Sequence, residues 1–229
     1  MIGIVHKILR VFQENGLWDE GVELIGSWCF LLYQKHFGVK AYPFRTVDID
    51  FLIPSPYKAK NKIDIAALLA PLGFKTGFNS DGSIYMWGTD LKVEFLTPER
   101  GRGEVGAKEV RNLSIKAIPL RFVDILFKNP VWVKEQSIDV LVPNMVCFGL
   151  HKLLIAARRK NTDKKRKDLE HAILALTASD KRLIIDYYEE LPKPWKKAII
   201  AALEWSKAHL VMREKEAQEI ILTLQTTGK

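Results

Sequence analysis

The stretch GSWCFLLYQKHFGVKAYPFRTVDIDFLIP, residues 26–54, decides the fold because it sets two carboxylates inside an otherwise apolar strand. In an extended chain residues i and i+2 point to the same side. Val47, Ile49 and Phe51 therefore take one face of VDIDFLI, and Asp48 and Asp50 take the other. Two like charges held side by side repel unless something positive lies between them, and a divalent cation is the usual remedy. The same stretch opens on Gly26-Ser27, where a short strand, VELIG, gives way to a helix over residues 27–37 closed by Gly38. Free N–H groups and the positive end of a helix dipole at that point suit an anion such as phosphate. A third strand acid, Glu94, stands between Val93 and Phe95 in LKVEFL, again alone among apolar neighbours. Taken singly, a Gly-Ser turn or a strand acid is ordinary; together and in this order they favour a functional site.

Working outward, periodicity predicts an amphipathic helix over residues 3–18 and a strand over 47–53. A helix over 62–70 and strands SIYMW and LKVEFL follow, the strands meeting at the turn Gly88-Thr89-Asp90. After a glycine-rich, charged loop at 98–112 come a helix in RFVDILF and a hairpin of VWVKE and SIDVLV. Beyond Pro143 only helical patterns remain: 144–160, 164–178, 180–190, 194–209 and 211–225. The expected class is α+β, a mixed sheet with flanking helices over residues 1–143 and a helical region over 144–229.

Composition narrows the classes. The 229 residues are 48% hydrophobic, with no low-complexity run or repeat, which excludes disorder and solenoids. Apolar runs such as AIIAALEW are too short to span a membrane, and the first residues lack a small-residue cleavage site, so a cytoplasmic protein without a membrane partner is expected. Cys29 and Cys147 each fall in an apolar helical pattern and read as reduced core thiols. The net charge of +8 is uneven: residues 1–150 carry 18 basic against 16 acidic groups, and residues 151–229 carry 17 against 11. Such a last third either attracts polyanions or is simply well solvated; charge alone does not choose. Gly101, Gly103 and Gly106 spell GxGxxG, but no apolar helix follows, so they read as loop glycines. The five histidines show no metal-ligand spacing, and His151 reads as packing or solvent-facing.

The order of strand, Gly-Ser, helix, DxD strand and later strand acid resembles the nucleotidyltransferase superfamily with the polymerase-beta-like core. GSWCFLLYQKHFG with RTVDIDF, VLVPNMVCFGLHKLLIAARR and RKDLEHAILAL resemble, more closely, minimal nucleotidyltransferases that include AbiEii-type abortive-infection toxins; the likeness covers residues 22–176. The resemblance implies a nucleotidyltransferase-like mixed sheet followed by a helical region that completes the active site. It implies that Gly26 and Ser27 contact the phosphates of an NTP such as ATP, and that Asp48 and Asp50 bind Mg²⁺ or Mn²⁺. Glu94 would aid the metal or the attacking hydroxyl. Arg45 and Thr46 match the basic and hydroxyl positions before the acids; Lys152 matches a lysine that reaches the nucleotide, and Asp168 a family aspartate after a basic residue. Arg159, seven residues after Lys152, shares its helix face and joins the nucleotide contacts.

Three departures mark this chain. The Gly-Ser to DxD spacing is longer than in compact versions, Trp28 and Cys29 replace the smaller residues often found after the serine, and Glu170 and His171 stand where many toxin relatives carry another aspartate. The expected activity is metal-dependent transfer of a nucleotidyl group from an NTP to an acceptor hydroxyl, with RNA docking across RRKNTDKKRK, residues 158–167. The toxin branch would add an antitoxin protein as partner. The alternative is a catalytically silent relative that binds nucleic acid or a protein.

Overall fold

The computed structural model describes residues 3–99 and 106–225, and the chain divides into two compact units. Gly101 and Gly103 of the GxGxxG string lie outside the described residues.

The first unit, Met1–Leu32 with Phe44–Pro143, is built on a seven-stranded mixed sheet. Its strands are β1 (Glu23–Ile25), β2 (Asp48–Leu52), β3 (Lys75–Phe78), β4 (Ile84–Trp87), β5 (Lys92–Pro98), β6 (Lys108–Val110) and β7 (Ile115–Leu120). The order is β1-β2-β5-β4-β3, with β7 beside the last residues of β5 and β6 beside β7. β2 runs parallel to β5, and β5 to β7; the other pairs are antiparallel. Helix α1 (Gly3–Glu14) buries Val5, Ile8, Leu9 and Phe12, one stripe at helical spacing. That stripe meets the sheet through Phe12, whose ring lies 4.3 Å from Phe51 and 5.4 Å from Trp18. Ile49, Phe51, Val93 and Phe95 are all buried on this side, which leaves the acids on the other. Helix α3 (Ile65–Leu69) is shorter than expected from 62–70; Asp64 caps it, its side chain accepting from Ala67 N at 3.0 Å. A separate hairpin, β8 (Val131–Glu135) and β9 (Ile138–Val142), matches the expected one.

Three strands escaped the pattern. β3 is an edge strand, KTGF, with no buried alternation to reveal it; β6 falls inside the expected loop at 98–112, and β7 between that loop and RFVDILF. RFVDILF itself forms only a 3₁₀ turn, Val123–Phe127, entered through a left-handed Phe122 at φ 68°.

The second unit, Tyr33–Pro43 with Asn144–Lys229, is helical. Helix α2 (Gly26–His36) starts in the first unit and its residues from Tyr33 belong to the second, where Tyr33 packs edge-on against Phe148 at 5.2 Å. The others are α4 (Met145–Ala156), α5 (Thr162–Thr177), α6 (Lys181–Glu189), α7 (Lys193–His209) and α8 (Glu214–Gln225). Asn144, Asn161 and Asp180 cap α4, α5 and α6 by accepting from backbone N–H groups of the first turn. Cys29 and Cys147 are both buried as reduced thiols. Among the described residues no helix is long and apolar enough to cross a membrane.

Candidate functional site

The two halves of the opening motif meet at one point. Gly26 leaves β1 with φ +70°, the left-handed region, and starts α2. A Cβ at that position would lie 2.2 Å from Asp50 Oδ2, so only glycine lets the carboxylate approach the turn. Ile25 is paired with Asp50 across β1 and β2, which fixes the approach. Ser27 follows, buried, in the first turn of α2, whose leading N–H groups have no partner within the helix.

Asp48 and Asp50 are half-buried on the sheet face opposite the core. Register places Lys92 beside Asp48 and Glu94 beside Asp50 on β5. Thr46 Oγ1 donates to the Asp48 carbonyl at 3.1 Å and Lys92 N to the Val47 carbonyl at 2.7 Å, so both edges of the acid strand's entry are held. Arg45, just before, is exposed. Two carboxylates on one face are the hard oxygen donors that suit Mg²⁺ or Mn²⁺, and the absence of a side chain at Gly26 lets Asp50 Oδ2 sit directly against the turn. Glu94 is differently engaged: its Oε1 receives Lys92 Nζ at 2.5 Å. Among the described residues no three His, Cys, Asp or Glu side chains converge as a ready ligand set.

Sequence reasoning missed several groups on this face. Glu23 on β1 is buried, its Oε2 lacks a hydrogen-bond partner, and burial pushes its pKa up to about 8, so it holds its proton at neutral pH. Lys92, Tyr85 and Trp87 also share the face, since Tyr85 pairs with Glu94 and Trp87 with Lys92. The alternation in Ile84-Tyr85-Met86-Trp87, with Met86 alone buried, was the available signal.

Lys152, Asp168 and Arg159 come together within the second unit. Lys152 Nζ donates to Asp168 Oδ1 at 2.7 Å and Arg159 Nε to Oδ2 at 2.8 Å. Asp168 is 2% exposed and Lys152 7%, so this is an interior ion network. Burial alone raises the Asp168 carboxyl, but Lys152 and Arg159 outweigh it and hold the pKa below the ordinary carboxylate value. His151 is driven down to about 3, first by burial and then by Lys152, and is neutral as a packing residue would be. The run at 158–167 is solvent-facing, and Lys165 Nζ lies 4.1 Å from the centre of the Trp205 ring.

A search of curated proteins finds no match. Among solved structures, an antigenic nucleotidyltransferase-like protein from Paracoccidioides brasiliensis superposes with a TM-score of 0.51 at 11% identity, covering 94% of this chain and 92% of that one. The antibiotic-resistance factor ANT(2'')-Ia gives 0.45 at 14% identity, covering 93% and 95%. The same factor in complex with adenylyl-2''-tobramycin gives 0.47 at 12%, covering 86% and 95%. At such identities the first of these speaks for the fold alone. The family model described as nucleotidyltransferase matches residues 4–193, most of the chain and the whole of the acid-bearing sheet, and the chain therefore belongs to the nucleotidyltransferase family.

Proposed function

We propose that this protein transfers a nucleotidyl group from an NTP to an acceptor hydroxyl, with a divalent ion held by Asp48 and Asp50. The observation that carries the reading is the contact of Gly26 with Asp50, which joins the anion-suited helix start to the paired carboxylates. Bound there, Mg²⁺ or Mn²⁺ would supply Lewis-acid polarisation of the phosphoryl oxygens. Ser27 and the first N–H groups of α2 hold the phosphate chain, and Thr46 keeps the strand carrying Asp48 in place by its bond to the carbonyl. Exposed Arg45 adds a positive group for the same anion. Glu94, beside Asp50 in register, accepts a hydrogen bond from the attacking hydroxyl, with Lys92 fixing its orientation. The acceptor is RNA, drawn by the exposed basic run at 158–167.

Asp168 and Lys152 receive a different task from the one the family resemblance implied. Their mutual burial supports a structural role inside the second unit, with Arg159 closing the network. An antitoxin partner belongs to the proposal only through the resemblance, and a cytoplasmic location only through the short apolar runs and N-terminal residues of the sequence.

The test is transfer of labelled NTP to total RNA with Mg²⁺, by wild type and by Asp48→Asn and Asp50→Asn. Each substitution removes one ligand charge at nearly constant volume, so activity should fall by more than the about 10–100-fold typical of groups that only support a ligand. Circular dichroism should be unchanged. Wild-type rates in both variants would end the assignment.

A further inference from the structure

We propose that the open half of the acid-bearing sheet face is a stacking platform for the single-stranded end of the acceptor RNA, with Trp87 as the stacking surface and Lys75 and Lys92 as its flanking cations. The inference rests on the transfer reading above and names how the acceptor is recognised.

Register brings the groups together. One row across the sheet runs Asp50, Glu94, Tyr85, Gly77, and the next runs Asp48, Lys92, Trp87, Lys75. Cross-strand partners point to one side of a sheet, so both rows lie on the face of the acids; with strands about 4.8 Å apart, Tyr85 and Trp87 begin about 10 Å from the carboxylates. The metal-suited pair thus continues directly into aromatic and basic side chains on the same surface, and the platform ends at the sheet edge.

Trp87 is 46% exposed although it stands on an ordered strand within the sheet. Lys75 Nζ lies 5.7 Å from its ring centre and Lys92 Nζ 4.3 Å from that of Tyr85. Tyr85 lies across β3: a Cβ on Gly77 would sit 2.4 Å from its Cζ, so the ring depends on the absence of a side chain there. Tyr85 in turn packs under Lys92, which is bonded to Glu94. The arrangement fixes a cation and an acid at the mouth of the site and leaves the Trp87 ring for a ligand.

An exposed indole between two lysines fits a ligand that combines a flat π-face with phosphate, as each nucleotide of single-stranded RNA does. The lysines also lessen the repulsion that three carboxylates on this face would impose on an incoming polyanion. Stacking on an aromatic side chain is tolerant of base identity, so the platform selects single strands rather than a sequence.

The experiment titrates a fluorescein-labelled hexamer of oligoadenylate RNA against the full chain without NTP or metal, for wild type, Trp87→Ala, Trp87→Phe and Lys75→Gln. Trp87→Ala should weaken binding about 5- to 150-fold, the range for losing one stacked base, and Trp87→Phe should recover most of it. Lys75→Gln should lower the slope of log affinity against log salt by about 0.7. Thermal melts confirm that each variant is folded. Equal hexamer affinity for wild type and Trp87→Ala overturns the platform and leaves Trp87 as a contact for a protein or small molecule. A loss of NTP affinity in Trp87→Ala with hexamer affinity intact overturns it in favour of the nucleotide's own base. Transfer to total RNA is assayed in parallel: wild-type transfer with an indifferent Trp87 rejects the platform alone, whereas hexamer binding that needs Trp87 without any transfer supports the platform and rejects the transfer reading.

Discussion

At Gly26 two separate demands fall on one residue, a left-handed backbone and the space taken by Asp50. Gly26→Ala should cost about 1–2 kcal/mol for the backbone alone and also push the Asp50 carboxylate aside. Transfer should drop at least about 10-fold, the lower end for a disturbed ligand, and Mn²⁺ binding followed by electron paramagnetic resonance should weaken with it. Gly38 is the control: its φ is +69° but nothing lies near a Cβ there, so Gly38→Ala carries only the backbone cost. Activity falling equally in both would deny Gly26 its special place. Glu23 makes a second residue-scale test. Its folded pKa is raised to about 8 from 4.5, so the native state keeps a proton that the unfolded chain releases. Its contribution is then complete below pH 4.5, declines as pH rises through the interval, and is lost above about 8. Glu23→Gln should flatten that decline and add stability on the order of 5 kcal/mol at pH 9 and little at pH 4. Urea denaturation of both proteins at several pH values reads the difference directly, and parallel pH profiles would refute the buried acid.

At the scale of elements, the acidic strand and the helix after Gly-Ser were legible because their signals are local: period-two alternation with carboxylates on one side, and a glycine at each end of the helix. The five C-terminal helices were equally plain from their apolar spacing and their Asn, Asp and Pro punctuation. β3 was not, because an edge strand half in solvent needs no apolar alternation, and Lys75, Thr76 and Phe78 are all exposed. The aromatic end of the site face lay in the expected strand SIYMW, but its place beside Glu94 and Lys92 follows only from the register of β4 on β5. Lys152 is a different case: the family resemblance implied a nucleotide contact, and the fold buries its ammonium against Asp168, a partner sixteen residues on that no local pattern announces. Removing one partner of a buried pair strands the other charge, so Asp168→Asn should destabilise by about 3–5 kcal/mol. Adding Lys152→Met, which removes the stranded charge, should return much of the deficit. The pair's contribution is present above the ordinary carboxylate pKa and fades as pH falls through the depressed folded value, so the wild type should lose this stability in acid while the double variant has none to lose. Chemical denaturation of the single and double variants, at neutral and acid pH, decides; a double variant as weak as Asp168→Asn would reject the ion-pair account.

Over the whole molecule the charge is concentrated toward one end of the chain, and the run at 158–167 carries seven basic residues and one acid. Lys164, Lys165, Arg166 and Lys167 fall in the first two turns of α5, where the helix dipole disfavours cations. The RNA proposed above would offset that cost. Replacing Lys164, Lys165 and Lys167 by Gln should flatten the salt dependence of tRNA binding, by about 0.7–0.9 in slope for each phosphate no longer neutralised, leaving NTP affinity nearly unchanged. A slope untouched by the triple substitution would make the run a solvated surface. The division of the chain has a consequence of another kind, in time. Tyr33–Pro43 belongs with helices that begin only at Asn144. On a ribosome that segment would wait while about a hundred further residues are made, about 5–20 s at about 5–20 residues per second. Through that interval Tyr33, fully buried in the finished protein, has no Phe148 to pack against. The newborn chain therefore carries an unfinished apolar seam until synthesis is well past its middle.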